Sequence, residues 1–421
     1  MQSPQSRYNP DVKIPKIAVL SFPGNNCEVE SIRAVRRAGM VPVFFRWNDD
    51  TEKLKNVDGY FIPGGFSYED RGRAGMVAAR DPLMDFIRSE AKEGKPVIGN
   101  CNGAQILVES GLIPLGDQLQ MCLARNVVDG EAVGFLNEWI FIIPTCARNR
   151  CATSDWEGVM TLPIAHGEGR FITKDPGLID ELRKNDQIAF SYCDAKGNVS
   201  EDPVTTPNGS AFAIAGICNP AGNVVALMPH PERTEGGNPY FVSLKRWVQN
   251  KMRPIFHEIS RKGVSFTVRE KAAGAVEIFI DTLIVNNEEH TVEQAAHRLL
   301  PSLKLRQLRY LSLKKGDPRT VLCTISLFNP NKEVAYIRRG GTVCKWDADA
   351  KREQPVTDFP FKQGIKLLRR DEPDTGAAIL GERSETGVCY VCREVSERDL
   401  LKKEILEVFA NPHAASLNRL H

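Results

Sequence analysis

Pro96-Val97-Ile98-Gly99-Asn100-Cys101-Asn102-Gly103-Ala104-Gln105-Ile106-Leu107 is the stretch that decides how this chain is read. Residues 96–99 form a short apolar run that suits a buried strand, and 104–110 place apolar side chains at helical spacing. Gly111 follows where a helix-ending glycine belongs. Between the two lies Gly-Asn-Cys-Asn-Gly, the shape of a nucleophile elbow with cysteine in place of serine. The turn is tight, so a side chain at either flanking glycine would clash. The thiol is thereby lifted to a helix N-terminus, where the dipole favours the reactive thiolate. A buried structural cysteine beside a glycine turn would be written with the same five letters, so the motif needs partners elsewhere in the chain.

Working outward, strands and helices alternate. Residues 16–22, 41–47 and 59–62 read as strands, and 26–38 and 82–92 as helices stopped by Gly39 and Gly94. Residues 222–227 form a further strand, and 239–252 carry Phe241, Leu244, Trp247 and Val248 at helical spacing. This alternation predicts an α/β fold, a mostly parallel sheet with helices on both faces. Ligand sites on such sheets lie at the carboxyl ends of strands. The chemistry is therefore expected in the loops after Phe22, Ile62, Gly99 and Met228.

A cysteine nucleophile needs a base, and the base needs an orienting partner. Met228-Pro229-His230-Pro231-Glu232 follows a strand, with proline on both sides of the histidine stiffening the backbone. Glu232 can accept from one imidazole nitrogen while the other faces the thiol. Pro63-Gly64-Gly65-Phe66, after another strand, offers backbone N–H groups for an oxyanion, with Gly65 and Asn102 as the natural pair. Alone, each element reads equally well as a surface His–Glu pair or a plain Gly-Gly turn. Their joint placement at strand ends favours the catalytic reading.

The chain has 421 residues, 42% hydrophobic and 26% charged, with a formal net charge of +2. That suits two or three globular domains and excludes a mainly disordered chain. So balanced a charge gives no reason to expect nucleic-acid or membrane-surface binding, and no apolar run approaches a bilayer span. The 11 cysteines are scattered, as reduced thiols of a cytoplasmic protein would be. Residues 1–15 read as a loose tail. Residues 1–260 hold 28 Lys+Arg against 31 Asp+Glu, whereas 261–421 hold 27 against 22. With the change in composition near 253–262, this predicts domains over 16–259 and 260–421.

With these residues in place, the chain resembles the class I glutamine amidotransferases, whose fold is flavodoxin-like. Within them it is similar to the glutaminase subunits of phosphoribosylformylglycinamidine synthases. The resemblance spans 17–233 and rests on Ser21-Phe22-Pro23-Gly24-Asn25-Asn26-Cys27, on Pro63-Gly64-Gly65-Phe66-Ser67-Tyr68-Glu69-Asp70 with Arg73-Ala74-Gly75, and on the elbow through Leu107. It extends to Pro163-Ile164-Ala165-His166-Gly167-Glu168-Gly169-Arg170, Pro207-Asn208-Gly209-Ser210, Ile214-Ala215-Gly216-Ile217 and Met228-Pro229-His230-Pro231-Glu232-Arg233. The resemblance implies that Cys101 attacks the glutamine side-chain amide, that His230 serves as base, and that Glu232 orients it. Gly64, Gly65 and Asn102 would form the oxyanion and substrate site, and Gln105 would help hold the amino-acid end of glutamine. His166 and Arg170 are expected to face a partner or the ammonia exit. No G-x-x-x-x-G-K-S/T loop occurs in the sequence. ATP and magnesium are accordingly expected on a synthetase partner, with no cofactor or metal on this chain. Ammonia delivery to another nucleotide or base, and a non-catalytic module of the same fold, stay open. The family favours an apolar residue before the nucleophile, and Asn100 departs from that pattern.

Residues 260–421 are expected to form an α+β domain. Strands are predicted over 275–285, 308–314 and 320–328, with helices over 291–300, capped by Thr291, and over 396–409, capped by Ser396. The order, and Glu407-Val408-Phe409-Ala410-Asn411-Pro412, resemble the small third subunit of the same synthases, with an insertion around 316–395. Residues 369–385 read as a long loop. Cys389 and Cys392 have C-x-x-C spacing, but in a strand they would face opposite sides, which argues against a shared zinc.

Overall fold

The computed structural model describes residues 13–116, 118–250, 261, 263–314, 316–374, 376, 380 and 384–421. Nearly all of the expected tail, and the expected boundary near Ser260, lie outside the described residues.

The first half of the chain builds β1 (Lys16–Ser21), α1 (Glu28–Arg37), β2 (Val41–Arg46), β3 (Gly59–Ile62), α2 (Pro82–Lys92), β4 (Val97–Asn100) and α3 (Asn102–Glu109). With the strand Val224–Leu227 these form a parallel sheet in the order β2-β1-β3-β4-(Val224–Leu227). This is the doubly wound order that the alternation predicts. Four antiparallel strands, Ile214–Cys218, Ile188–Cys193, Leu136–Pro144 and Met160–His166, extend it to nine. α2 and α3 bury Leu83, Ile87, Ile106 and Leu107 on one face. α1 and the helix Asn238–Gln249 bury Val35, Tyr240, Phe241 and Leu244 on the other. The helix boundaries follow from local chemistry. Asp81 caps α2 by accepting from the Leu83 N–H at 2.9 Å, with Pro82 at the first helical position. Gly39, Gly94 and Gly111, each at positive φ, follow α1, α2 and α3.

The second half forms a separate nine-stranded sheet, antiparallel except at its first pair. Its order is Arg269–Glu270, Ala415–Leu420, Ile365–Asp371, Ser384–Arg393, Lys304–Leu313, Val276–Thr282, Glu333–Arg339, Thr342–Asp347, Arg352–Pro355. Helices Asn287–His297 and Lys403–Phe409 cover one face, burying Val292, Ala296, Ile405 and Phe409 against Leu305, Tyr390 and Met76 of the first half. Cys389 and Cys392 face different apolar clusters, as strand alternation requires.

Several expectations need correction. Residues 320–328 are not a strand. Asp317 accepts from the Arg319 N–H at 2.9 Å and starts the short helix Arg319–Leu322, and local bonding wins over the β-branched composition. The helix predicted from Thr291 begins one turn earlier, capped by Asn286, which accepts from the Glu289 N–H at 3.1 Å. The predicted helix 396–409 divides into Glu397–Leu400, capped by Ser396, and Lys403–Phe409. The expected loop 369–385 is trimmed at both ends by the strands Ile365–Asp371 and Ser384–Arg393, and residues 375, 377–379 and 381–383 lie outside the described residues.

The two halves are joined by buried polar contacts. Arg73 pairs with Glu109 at 2.6 Å and donates to the carbonyls of Glu407 and Val408. Asn411 donates to Glu109 at 2.9 Å and to the Met121 carbonyl at 3.1 Å. His413 meets the Thr173 hydroxyl at 3.2 Å.

Candidate active site

The elbow is built by close approach. Cys101 sits between β4 and α3 with φ 50° and ψ −110°, a strained conformation for a residue with a side chain. A Cβ on Gly99 would lie 2.4 Å from the Gly103 carbonyl oxygen, and one on Gly103 would lie 2.0 Å from the Ile62 carbonyl oxygen. Both glycines are therefore structural requirements of the turn. Cys101 is buried, with its Sγ 3.6 Å from the Ala165 carbonyl oxygen.

His230 and Glu232 follow the strand Val224–Leu227, whose Leu227 pairs with Asn100. Nucleophile and base thus leave adjacent strand ends. The His230 Nδ1 lies 2.5 Å from Glu232 Oε1, both residues are buried, and the His230 N–H donates to the Pro163 carbonyl at 3.0 Å. The Cys101 and Cys27 sulfurs lie close enough to act on the charge of the imidazole, while its Nε2 is buried without a hydrogen-bond partner. Burial opposes the imidazolium, but Cys101 and Glu232 outweigh it and hold His230 well above the ordinary histidine value. Burial likewise opposes the Glu232 carboxylate, and His230 and Asn100 reverse this, holding it below the ordinary carboxylate range. The pair is set up to exist as imidazolium and carboxylate.

The Gly64–Gly65 turn closes over this pair. A Cβ on Gly64 would lie 2.7 Å from His230 Cε1, and Gly65, at φ 134°, would press on Asn25 at 2.6 Å. Asn102, fully buried, uses its side chain as a brace. It accepts from the Ser67 N–H at 3.0 Å and donates to Gln105 Oε1 at 2.9 Å. Gln105 donates to the Glu168 carbonyl at 2.5 Å. The structure therefore brings together Cys101, His230, Glu232, Gly64 and Gly65, with Asn102 and Gln105 packed behind. A cleft of about 380 Å³ opens onto them, lined among others by Glu30, Phe66, Asn137 and Arg233.

Three expected positions are corrected. Gln105 does not reach the cleft to hold substrate, because it is buried with both ends of its amide taken by Asn102 and the Glu168 carbonyl. His166 does not present itself to a partner. The residue is 2% exposed, and its ring lies under Gly169, where a Cβ would meet it at 2.1 Å. Burial first, then His230, pushes its pKa down to about 3, so it is neutral. Arg170 lines a cavity between the two halves of its own chain, with Arg125, Arg369 and Asp371, and donates to the Arg125 carbonyl at 3.0 Å.

Some residues at the site carried no role in the sequence reading. Cys27, the residue before α1, places a second thiol beside His230. Burial raises its pKa and His230 offsets this only in part. Cys27, His230 and Glu232 are also the one metal-capable cluster among the described residues, but Glu232 is already committed to His230 and Asn100. Asp70, at φ 53° in a left-handed turn, is pushed up to about 7 by burial and by Glu168. Its only sequence signal was its place after the Gly-Gly turn.

Comparison with known proteins agrees with this geometry. The sequence profile of the CobB/CobQ-like glutamine amidotransferase domain matches residues 14–259. The chain belongs to this family. It is 42% identical over 259 residues to a protein named phosphoribosylformylglycinamidine synthase subunit PurQ from Methanothrix thermoacetophila, covering 56% of this chain and 99% of the relative. It is 39% identical over 243 residues to the PurQ subunit of Pyrococcus furiosus, with the same coverages. A solved structure titled PurLQS from Thermotoga maritima matches 56% of this chain and 100% of that chain, with 31% identity and a TM-score of 0.45. The first half of the chain is thus a glutamine amidotransferase domain, and the second sheet lies beyond the family match. Among the described residues no helix is long and apolar enough to cross a membrane.

Proposed function

We propose that this chain hydrolyses glutamine through a Cys101 thioester and passes the ammonia to an ATP-dependent synthetase that makes formylglycinamidine ribonucleotide. The observation that carries the reading is the Cys101 elbow facing a buried His230–Glu232 pair at the floor of an open cleft. The relatives' names, matched over nearly their whole length, support the purine assignment.

In this mechanism the Cys101 thiolate adds to the side-chain carbonyl carbon of glutamine, and the oxyanion is met by the Gly65 and Asn102 backbone N–H groups. The C–N bond then breaks, and His230 gives its proton to the departing nitrogen, which leaves as ammonia. Neutral His230 next takes a proton from water as it attacks the thioester. Glutamate leaves, and Cys101 and the imidazolium are restored. Glu232 holds the ring and stabilises its charged form. Glu30 and Arg233, of opposite charge on the cleft wall, are the natural contacts for the α-ammonium and α-carboxylate of the substrate. The C-terminal half is proposed to take the docking role of a small third subunit, since its strand Ile365–Asp371 and helix Lys403–Phe409 grip the loop at Gly72, Arg73 and Met76 beside the site.

The test is glutamate release by the purified chain, alone and with a formylglycinamide ribonucleotide synthetase subunit, ATP and its substrate, beside Cys101→Ala. Turnover stimulated by the partner and lost in the variant supports the reading. Alkylation of Cys101 by a glutamine analogue with no turnover in either setting sinks the purine assignment.

A further inference from the structure

Asn100 is the place where the elbow departs from an apolar pattern, and the structure gives the departure a purpose. Side chains alternate along β4, so Ile98 and Asn100 share a face. Ile98 packs there into the apolar layer of Phe61, Tyr240 and Phe241. An aliphatic residue at position 100 would continue that layer. Burying an amide there is unfavourable unless both of its ends are paired. Both ends are paired, and one partner belongs to the triad. The Asn100 Nδ2 donates to Glu232 Oε2 at 3.1 Å, and the Tyr240 hydroxyl donates to Asn100 Oδ1 at 3.1 Å. All three side chains are buried.

The consequences follow from the carboxylate's two oxygens. Glu232 Oε1 is held by His230, and Oε2 by Asn100, so the carboxylate cannot rotate away from the ring. The Tyr240 donation in turn decides which end of the Asn100 amide meets Glu232, because a donor facing Oδ1 leaves the NH₂ group for the carboxylate. We propose that Asn100 and Tyr240 are positioning residues of this amidotransferase site, forming a buried chain Tyr240–Asn100–Glu232–His230 that fixes the base from behind. This rests on the amidotransferase reading. Glu232 is surrounded by His230 on its own turn, Cys27 ahead of α1, Tyr240 from the helix Asn238–Gln249, and Asn100 from β4. Of these, His230 and Asn100 hold its pKa down.

The experiment uses the full chain with its stimulating synthetase. It compares wild type, Asn100→Leu and Tyr240→Phe by glutamate release across pH, with circular dichroism to establish folding. Asn100→Leu keeps the branched shape of the side chain, at a somewhat larger volume, and removes the donor. Its kcat is expected to fall about ten- to hundredfold, the range for a lost hydrogen bond to a buried charge, with KM little changed. The acid limb of its pH profile should move to higher pH, because the carboxylate loses a group that favours its ionised form. Tyr240→Phe keeps the ring packing and leaves Asn100 free to flip, so a smaller change in the same direction is expected. A folded Asn100→Leu protein with the wild-type acid limb and kcat would overturn the inference, as would a Tyr240→Phe acid limb that moved the opposite way. Wild-type chain without turnover would instead count against the amidotransferase activity itself.

Discussion

Gly103→Ala separates this account from ordinary helix chemistry. Gly103 lies in the first turn of α3, and by intrinsic propensity alanine there would stabilise the helix by about 1 kcal/mol. The structure predicts the opposite. The added methyl would sit 2.0 Å from the Ile62 carbonyl oxygen and 2.8 Å from the Ile62 carbonyl carbon, both backbone atoms. Restoring ordinary contact requires α3 and the end of β3 to part by more than about 1 Å, and overpacking of this kind costs about 1–3 kcal/mol. The displacement falls on the reaction itself. Ile62 leads into Gly64–Gly65, and α3 begins directly after Cys101, so the thiol and the facing amides move apart. Misplacement of about 1 Å costs on the order of 10²-fold in rate, roughly 2.7 kcal/mol of transition-state stabilisation. The assay is kcat/KM for glutamine together with urea unfolding. The control is Gly167→Ala, where a Cβ meets only Phe135 at 3.9 Å and near wild-type kinetics are expected. A Gly103→Ala protein that is more stable and fully active would refute the argument from close approach.

Three further outcomes are expected. Glu109→Gln should destabilise the chain by about 3–5 kcal/mol at neutral pH, since it strands the buried Arg73 guanidinium, and urea unfolding with limited proteolysis between the halves reads this. Burial opposes the Glu109 carboxylate, but Arg73 and Arg80 outweigh it and depress its pKa. Its contribution is therefore present above the unfolded value of about 4.3 and lost as pH falls through the lower folded value, a dependence that should be weaker in Glu109→Gln. At neutral pH a chloroketone analogue of glutamine should label Cys101 and spare Cys27, whose burial keeps it a thiol, as peptide mass spectrometry would show; preferential labelling of Cys27 would reverse their assigned roles.

The elbow, the Gly-Gly turn and the His-Pro-Glu turn were legible because each is short, local and placed at the end of a strand in an alternating chain. Gly99 and Gly103 carry the signal themselves, since their missing side chains are what the geometry demands. Asn100 could be seen as an oddity but not understood, because its partners Glu232 and Tyr240 lie more than a hundred residues away. Cys27 was hidden for the same reason, since only the folded loop brings it to His230. His166 was misplaced because a glycine-rich loop reads as exposed, whereas here Gly169 makes room for the buried ring. In the second sheet, Glu333–Arg339, Thr342–Asp347 and Arg352–Pro355 extend one edge as hairpins of mixed polarity, whose periodicity is weak. The apolar run at 320–328 imitates a strand, and only Asp317 at its head betrays the helix.

The central claim is that Cys101 carries the glutamyl group. The most direct measurement is acid quenching of the full chain and its synthetase during turnover with glutamine, followed by mass spectrometry of the thiol-containing peptides. The account predicts a glutamyl thioester on the peptide holding Cys101, absent in Cys101→Ala. Glutamate release that continues in Cys101→Ala, or an adduct found on Cys27 instead, would contradict it.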